Sequence, residues 1–167
     1  MMHPEQYLNE LEIALHTGMR KGEQFGLTWA QVDLQERRLT LTKTKNGSGR
    51  MIPLNAVALE AFKRQKKITG HSTKVFLTGT GKEFGPDAKR TWFDEAVMEA
   101  KIHDFSWHCL RHSFCSRLIQ NGVSLKAAQE LMGHKVLAMT ARYAHLAPEH
   151  LQSAVEAIAK MQPKMAA

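Results

Sequence analysis

The chain has 167 residues, 43% of them hydrophobic, which is the length of one domain with enough apolar material to bury a core. Lys and Arg outnumber Asp and Glu by 23 to 16, a net charge of +7, so a polyanion such as nucleic acid suits this surface better than an acidic small molecule. No apolar run reaches the length of a membrane span, the first residues lack the pattern of a signal peptide, and Cys109 and Cys115 supply neither a disulfide framework nor a zinc set; reduced thiols and a cytoplasmic location are expected.

Residues 4–16 read as a first helix: Pro4 is tolerated in a first turn, and Leu8, Leu11 and Leu15 recur along one face until Gly18 ends the run. Arg20 opens a second short helix, with Glu23 at a spacing that lets it brace the guanidinium. From Val32 to Leu54 the period becomes that of strands, Leu39 and Leu41 alternating with Thr40 and Thr42, and Met51 and Ile52 resuming after KNGSG. Asn46-Gly47 marks a hairpin, since both residues tolerate positive φ, and sets Lys45 at the rim of a two-stranded ribbon. Asn55 caps a helix to about Ile68, with Val57, Leu59 and Phe62 inward and the basic run Lys63, Arg64, Lys66, Lys67 outward. Residues 69–85 form a loop around a short extended piece, Val75-Phe76-Leu77. Pro86 starts the next helix, whose apolar stripe is Trp92, Phe93, Ala96 and Val97.

From Ser106 to Leu146 the chain sets His108, Arg111, His134 and Tyr143 on a helix-turn-helix scaffold. Ser106 caps a helix that places His108 and Arg111 on one face, beside Trp107, Leu110, Phe114 and Leu118, and Gly122 ends it. Ser124 opens a second helix with Leu125, Ala128, Leu131 and Met132 inward; Gly133 stops it, so that His134 leaves into a loop. Tyr143 follows nine residues later, and Pro148 starts a last amphipathic helix to about Met161, with 162–167 a loose tail. No repeat, linker or low-complexity segment interrupts residues 1–167, read as one domain.

HCLRH, LMGHK and TARYAHL, in this order and at these distances, resemble the catalytic domain of the tyrosine recombinase (phage integrase) family. Thr-Gly-x-Arg-x-x-Glu at residues 17–23 resembles its first arginine motif, and Lys-x-x-x-x-Arg-x-x-Pro-Leu from Lys45 its catalytic-lysine hairpin, with Lys43 the alternative if the register slips by two. The resemblance covers about residues 8–150. It implies a mainly α-helical fold with a small antiparallel sheet (α+β), and an N-terminal core-binding domain that is absent from this chain. It also implies site-specific DNA strand cleavage and rejoining through a 3′-phosphotyrosyl intermediate, in DNA recombination or integration of a bacterial or phage mobile element. The implied partners are double-stranded DNA and other protomers of the same protein, with no membrane, cofactor or metal.

Carried onto this chain, the resemblance makes Tyr143 the nucleophile and Arg20 and Arg111 the forks around the phosphate oxygens. His134 is a further donor, His108 an acceptor of the phenol proton or a holder of the scissile group, Lys45 the general acid, and Glu23 the support of Arg20. Taken singly, each has a plain structural reading: a packed tyrosine, a satisfied histidine, solvated arginines. Two departures stand beside the match, Cys109 after His108 and Met132 before Gly133-His134. Rival functions are relaxation of DNA by a type IB topoisomerase and a non-catalytic DNA-binding module.

Overall fold

The computed structural model describes residues 4–42, 49–85, 90–148 and 155–156. Its elements are α1 (Pro4–Thr17), α2 (Lys21–Phe25), β1 (Val32–Asp33), β2 (Arg38–Leu41), β3 (Arg50–Pro53), α3 (Ala56–Thr69), α4 (Thr91–Glu99), α5 (Trp107–Gln120), α6 (Leu125–Met132) and α7 (Ala138–Ala141), with 3-10 turns at Trp29–Gln31 and Ala144–Leu146. A mainly helical chain with a small antiparallel sheet is thus what forms. The sheet has three strands where two were expected, in the order β1-β2-β3, because Val32 pairs with Leu39 and Leu39 with Ile52. Alternation follows the sequence, with Leu39, Leu41 and Ile52 buried and Thr40 and Met51 exposed. Leu41 pairs with Arg50 at the end of the β2–β3 ladder. Lys45 and Pro86 lie outside the described residues, as does most of the expected C-terminal helix, of which 155 and 156 are described and helical.

Helix α1 turns a different face inward than its leucines suggest. Leu8 is exposed, and the buried stripe is Gln6, Asn9, Glu10, Ile13, Ala14 and Thr17. The polar members survive burial because each finds a partner: Gln6 Nε2 donates to the Leu77 carbonyl (2.7 Å), Asn9 Nδ2 to Gln65 Oε1 (3.2 Å), and the Glu10 carbonyl accepts from Gln24 Nε2 (2.7 Å). Burial pushes the Glu10 carboxyl up, opposed by Arg90, whose guanidinium lies between the rings of Phe25 and Phe84. Leu11 and Leu15 line an open apolar groove shared with Trp92, Val97 and Ile102. Ala96 is exposed, so the stripe of α4 narrows to Trp92, Phe93 and Val97.

Helix α5 joins two cores. Its first turn adds Trp107 and Leu110 to the main core around Ile13, Leu39, Phe62 and Phe76; its second half builds a smaller one from Cys115 and Ile119 with Ala128, Met132 and Tyr143. The caps act as the sequence implies: Asn55 Oδ1 accepts from Ala58 N (3.0 Å) and Ser124 Oγ from Ala127 N (3.2 Å). At the start of α5 the Ser106 N–H donates to Cys109 Sγ (3.3 Å), so the thiol stands where a capping box has Glu or Gln.

Candidate active site

The site is built on the C-terminus of α6. Gly133 ends this helix with φ +61, a conformation glycine adopts without cost, and the turn leaves the last carbonyls without helical partners. Three arginines from three elements take them. Arg50 of β3 donates from Nε to the Leu131 carbonyl (3.0 Å), Arg111 of α5 from Nη2 to the Met132 carbonyl, and Arg20, the N-cap of α2, from Nη2 to the Gly133 carbonyl (3.4 Å). Cations suit the negative end of a helix, so the contacts hold both the helix end and the guanidinium groups. Arg111 also donates from Nη1 to the Gly18 carbonyl, which commits two of its five N–H groups. Gly18 is itself held close: a Cβ there would lie 2.2 Å from the Phe114 ring.

Glu23 ties two of the arginines together. One oxygen, Oε2, accepts from Arg20 N (2.7 Å) and Arg50 Nη2 (2.9 Å); the other, Oε1, accepts from Arg20 Nη1 (2.9 Å) and Arg50 Nη1 (3.0 Å). Burial alone would raise the carboxyl, but the Arg50 hydrogen bonds, the Arg20 N–H and both guanidinium charges bring it down to about 2. Burial and the neighbouring Arg20 and Arg50 charges lower Arg111 to about 10, which leaves it protonated at neutral pH. Three guanidinium charges against one carboxylate leave an excess of two positive charges beside the turn.

His134 leaves this turn with its main chain held by Gln129 Nε2 (3.1 Å) and its ring Nδ1 against Thr140 Oγ1 (2.9 Å). Burial, then Arg111, Arg20 and Arg50, lower it to about 4, so the ring is neutral at pH 7. Tyr143 follows α7 with its ring in the smaller core, 7% exposed, and its hydroxyl hydrogen-bonded to His112 Nδ1. One helical turn before His112, the exposed His108 ring stands edge to face with it, centroids 4.7 Å apart. Burial, then Arg111 and Arg20, hold His108 below the usual imidazole range. An open cleft of about 600 Å³ is lined by His108, His112, His134, Met139, Arg142 and Tyr143.

Arg20, Glu23, His108, Arg111, His134 and Tyr143 are therefore gathered at one place, while Lys45 is not among the described residues. Two neighbours escaped the sequence reading, Arg50 and His112. Each had a signal: Arg50 is the arginine of the motif that begins at Lys45, and His112 stands one helical turn after His108. The Tyr143 ring is packed as its plain structural reading has it, and its hydroxyl is partnered by His112. Among the described residues no group of three or more His, Cys, Asp or Glu is set to hold a metal, and no helix is long and apolar enough to cross a membrane.

The same architecture occurs in the Tn1549 transposon integrase solved with circular intermediate DNA, at a TM-score of 0.73 and 27% identity over 95% of this chain and 60% of that one. The catalytic domain of bacteriophage HP1 integrase matches at a TM-score of 0.65 and 29% identity, covering 93% of this chain and 92% of the domain. The fold is thus that of a tyrosine recombinase catalytic domain. Residues 2–150 match the model of the phage integrase family, and the integrase of Salmonella phage P22 is 35% identical over 155 residues. This chain belongs to the phage integrase family, the tyrosine recombinases. It covers 39% of the length of the P22 relative, which covers 84% of this chain.

Proposed function

We propose that this chain is the catalytic domain of a site-specific recombinase of a bacterial or phage mobile element, which cuts and rejoins double-stranded DNA through Tyr143. The observation that carries this reading is the Tyr143 hydroxyl, hydrogen-bonded to His112 at a cleft also lined by His134, which follows the turn that three arginines hold, in a chain of this family. A phenol that attacks a phosphodiester keeps the phosphate as an ester, so the bond can later be resealed without an external energy source. The five-coordinate transition state carries extra charge on its non-bridging oxygens, which Arg20 and the uncommitted N–H groups of Arg111 meet with preorganised donors. With Thr140 donating to Nδ1, His134 is left with a proton on Nε2 to offer as a further donor. His108, at the open side of the cleft, holds the scissile group. Glu23 positions Arg20.

Lys45 is assigned as the general acid for the departing 5′-oxygen on the resemblance of its motif, supported by Arg50 of the same motif, which donates to the Leu131 carbonyl at the site. Other protomers on the same DNA complete the reaction, since recombination exchanges strands between sites. The bacterial cytoplasm is the compartment this reading requires.

The test is a nicked duplex carrying the end sequences of the host element, examined for a protein–DNA band that survives denaturation. The band is expected with the wild-type chain. Lys45→Ala is expected to lose it on ordinary DNA and regain it when sulfur replaces the bridging 5′-oxygen, because a thiolate leaves unprotonated. Rescue of Lys43→Ala with no rescue of Lys45→Ala would move the acid by two residues, and relaxation of a plasmid lacking any such site would favour a topoisomerase.

A further inference from the structure

On the reading that Tyr143 is the nucleophile, its proton must leave as the phosphorus–oxygen bond forms, and the described groups nearest the phenol can be compared one by one. Cys115 lies in the smaller core, fully buried, and burial pushes its thiol up, so it stays protonated. His134 has Nδ1 engaged with Thr140. His108 touches the His112 ring edge to face. The hydrogen bond of the Tyr143 hydroxyl goes to His112 Nδ1, with the two rings tilted by 39° and their centroids 6.0 Å apart.

We infer that His112, and not His108, is the base that takes the phenol proton of Tyr143 during cleavage and returns it during rejoining. The tautomer with its proton on Nε2 presents a lone pair at Nδ1, so the phenol O–H points at His112 and the oxygen lone pairs are free to face the cleft. In cleavage the Oη–P bond forms, the P–O5′ bond breaks, the phenol proton moves to His112 Nδ1, and the departing oxygen takes its proton from the general acid assigned to Lys45. In rejoining the free 5′-hydroxyl attacks phosphorus and gives its proton back to the amine assigned at Lys45, the P–Oη bond breaks, and Oη recovers the proton from Nδ1. The charged and titratable groups facing His112 are His108 and Arg111 on its own helix, His134 after α6, and Arg142 and Tyr143 after α7. Burial, then His108, Arg142 and Arg111, hold His112 below the usual imidazole range, so the base is neutral at physiological pH. His108, one turn earlier, orients the His112 ring by its edge-to-face contact.

The test uses the full chain and a duplex of host-element end sequence with sulfur at the bridging 5′-position, on which the general acid is not needed. His112→Asn keeps an acceptor near the position of Nδ1 but cannot carry a proton. Its cleavage rate is expected to fall by about 10²–10⁴-fold at neutral pH, the range of general-base catalysis, and the deficit to narrow steadily as rising pH ionises the phenol without help. Wild-type cleavage should level off once His112 is deprotonated, and His108→Asn should lower the rate by a factor that does not change with pH. A deficit of His112→Asn that stays constant across pH, or one that narrows for His108→Asn instead, overturns the assignment. Tyr143→Phe separates the two readings: an adduct formed by this variant sinks the nucleophile itself, whereas loss of the adduct with His112→Asn at wild-type rate sinks only the base.

Discussion

Glu23 is a carboxylate with 10% of its side chain exposed, held between two guanidinium groups. Its folded pKa lies below its ordinary value, so the stability it contributes is fully present above pH 4.5 and lost as pH falls toward about 2. At about 1.4 kcal/mol per pH unit, that gap corresponds to roughly 3 kcal/mol. Glu23→Gln is expected to lose about this much at pH 7 and to unfold with little added pH dependence between 4.5 and 2, measured by urea unfolding at several pH values. A variant that kept the wild-type slope in this window would place the titration elsewhere. Arg20 has a different signature, because 42% of its side chain is exposed. Arg20→Ala is expected to lower cleavage by about 10²–10³-fold, on the scale of a deleted oxyanion donor, with a smaller fall in DNA affinity measured by titration at fixed salt.

At the scale of elements, the end of α6 decides where the arginines sit. Gly133→Ala would put a side chain into the left-handed region with its Cβ 2.8 Å from Arg50 Nη1, a guanidinium already held by Glu23 and Leu131. A loss of about 1–3 kcal/mol in stability is expected, read as a lower thermal midpoint, together with slower cleavage as the Arg50 contact shifts. The sequence made this helix legible because its signals are local: Ser124 as cap, Gly133 as stop, and Ala128 and Met132 at helical spacing. The caps at Asn55 and Ser106 and the alternation of β2 were legible for the same reason. Helix α1 was not. Its leucines mark a groove, whereas its buried face is polar and is satisfied by Gln65, Leu77 and Gln24, partners far away in sequence that no periodicity reports. The third strand was missed because Val32-Asp33 is two residues long, too short to alternate. Arg50 and His112 escaped on similar grounds, since the value of each comes from the carbonyl, carboxylate or phenol it meets across the fold.

Across the whole molecule, α5 carries the connection between stability and chemistry. Trp107 and Leu110 root it in the main core, Cys115 and Ile119 in the smaller one, and the turns between them present His108 and His112 to the cleft and carry Arg111 to the end of α6. Tyr143 belongs to the smaller core by its ring and to the cleft by its hydroxyl, so packing against Cys115, Ile119 and Met132 holds the proposed nucleophile in place. Removal of the hydroxyl alone separates the two roles. Tyr143→Phe keeps the ring and its burial, so the thermal midpoint and non-covalent DNA binding should stay near wild type. The decisive measurement is the yield of denaturation-resistant protein–DNA adduct from wild-type and Tyr143→Phe chains on the same nicked duplex. The expected result is an adduct with the wild type, joined through a 3′-phosphotyrosyl bond, and none with the variant. An adduct formed equally well by Tyr143→Phe would contradict the assignment and leave Tyr7, the other tyrosine of the chain, to explain it.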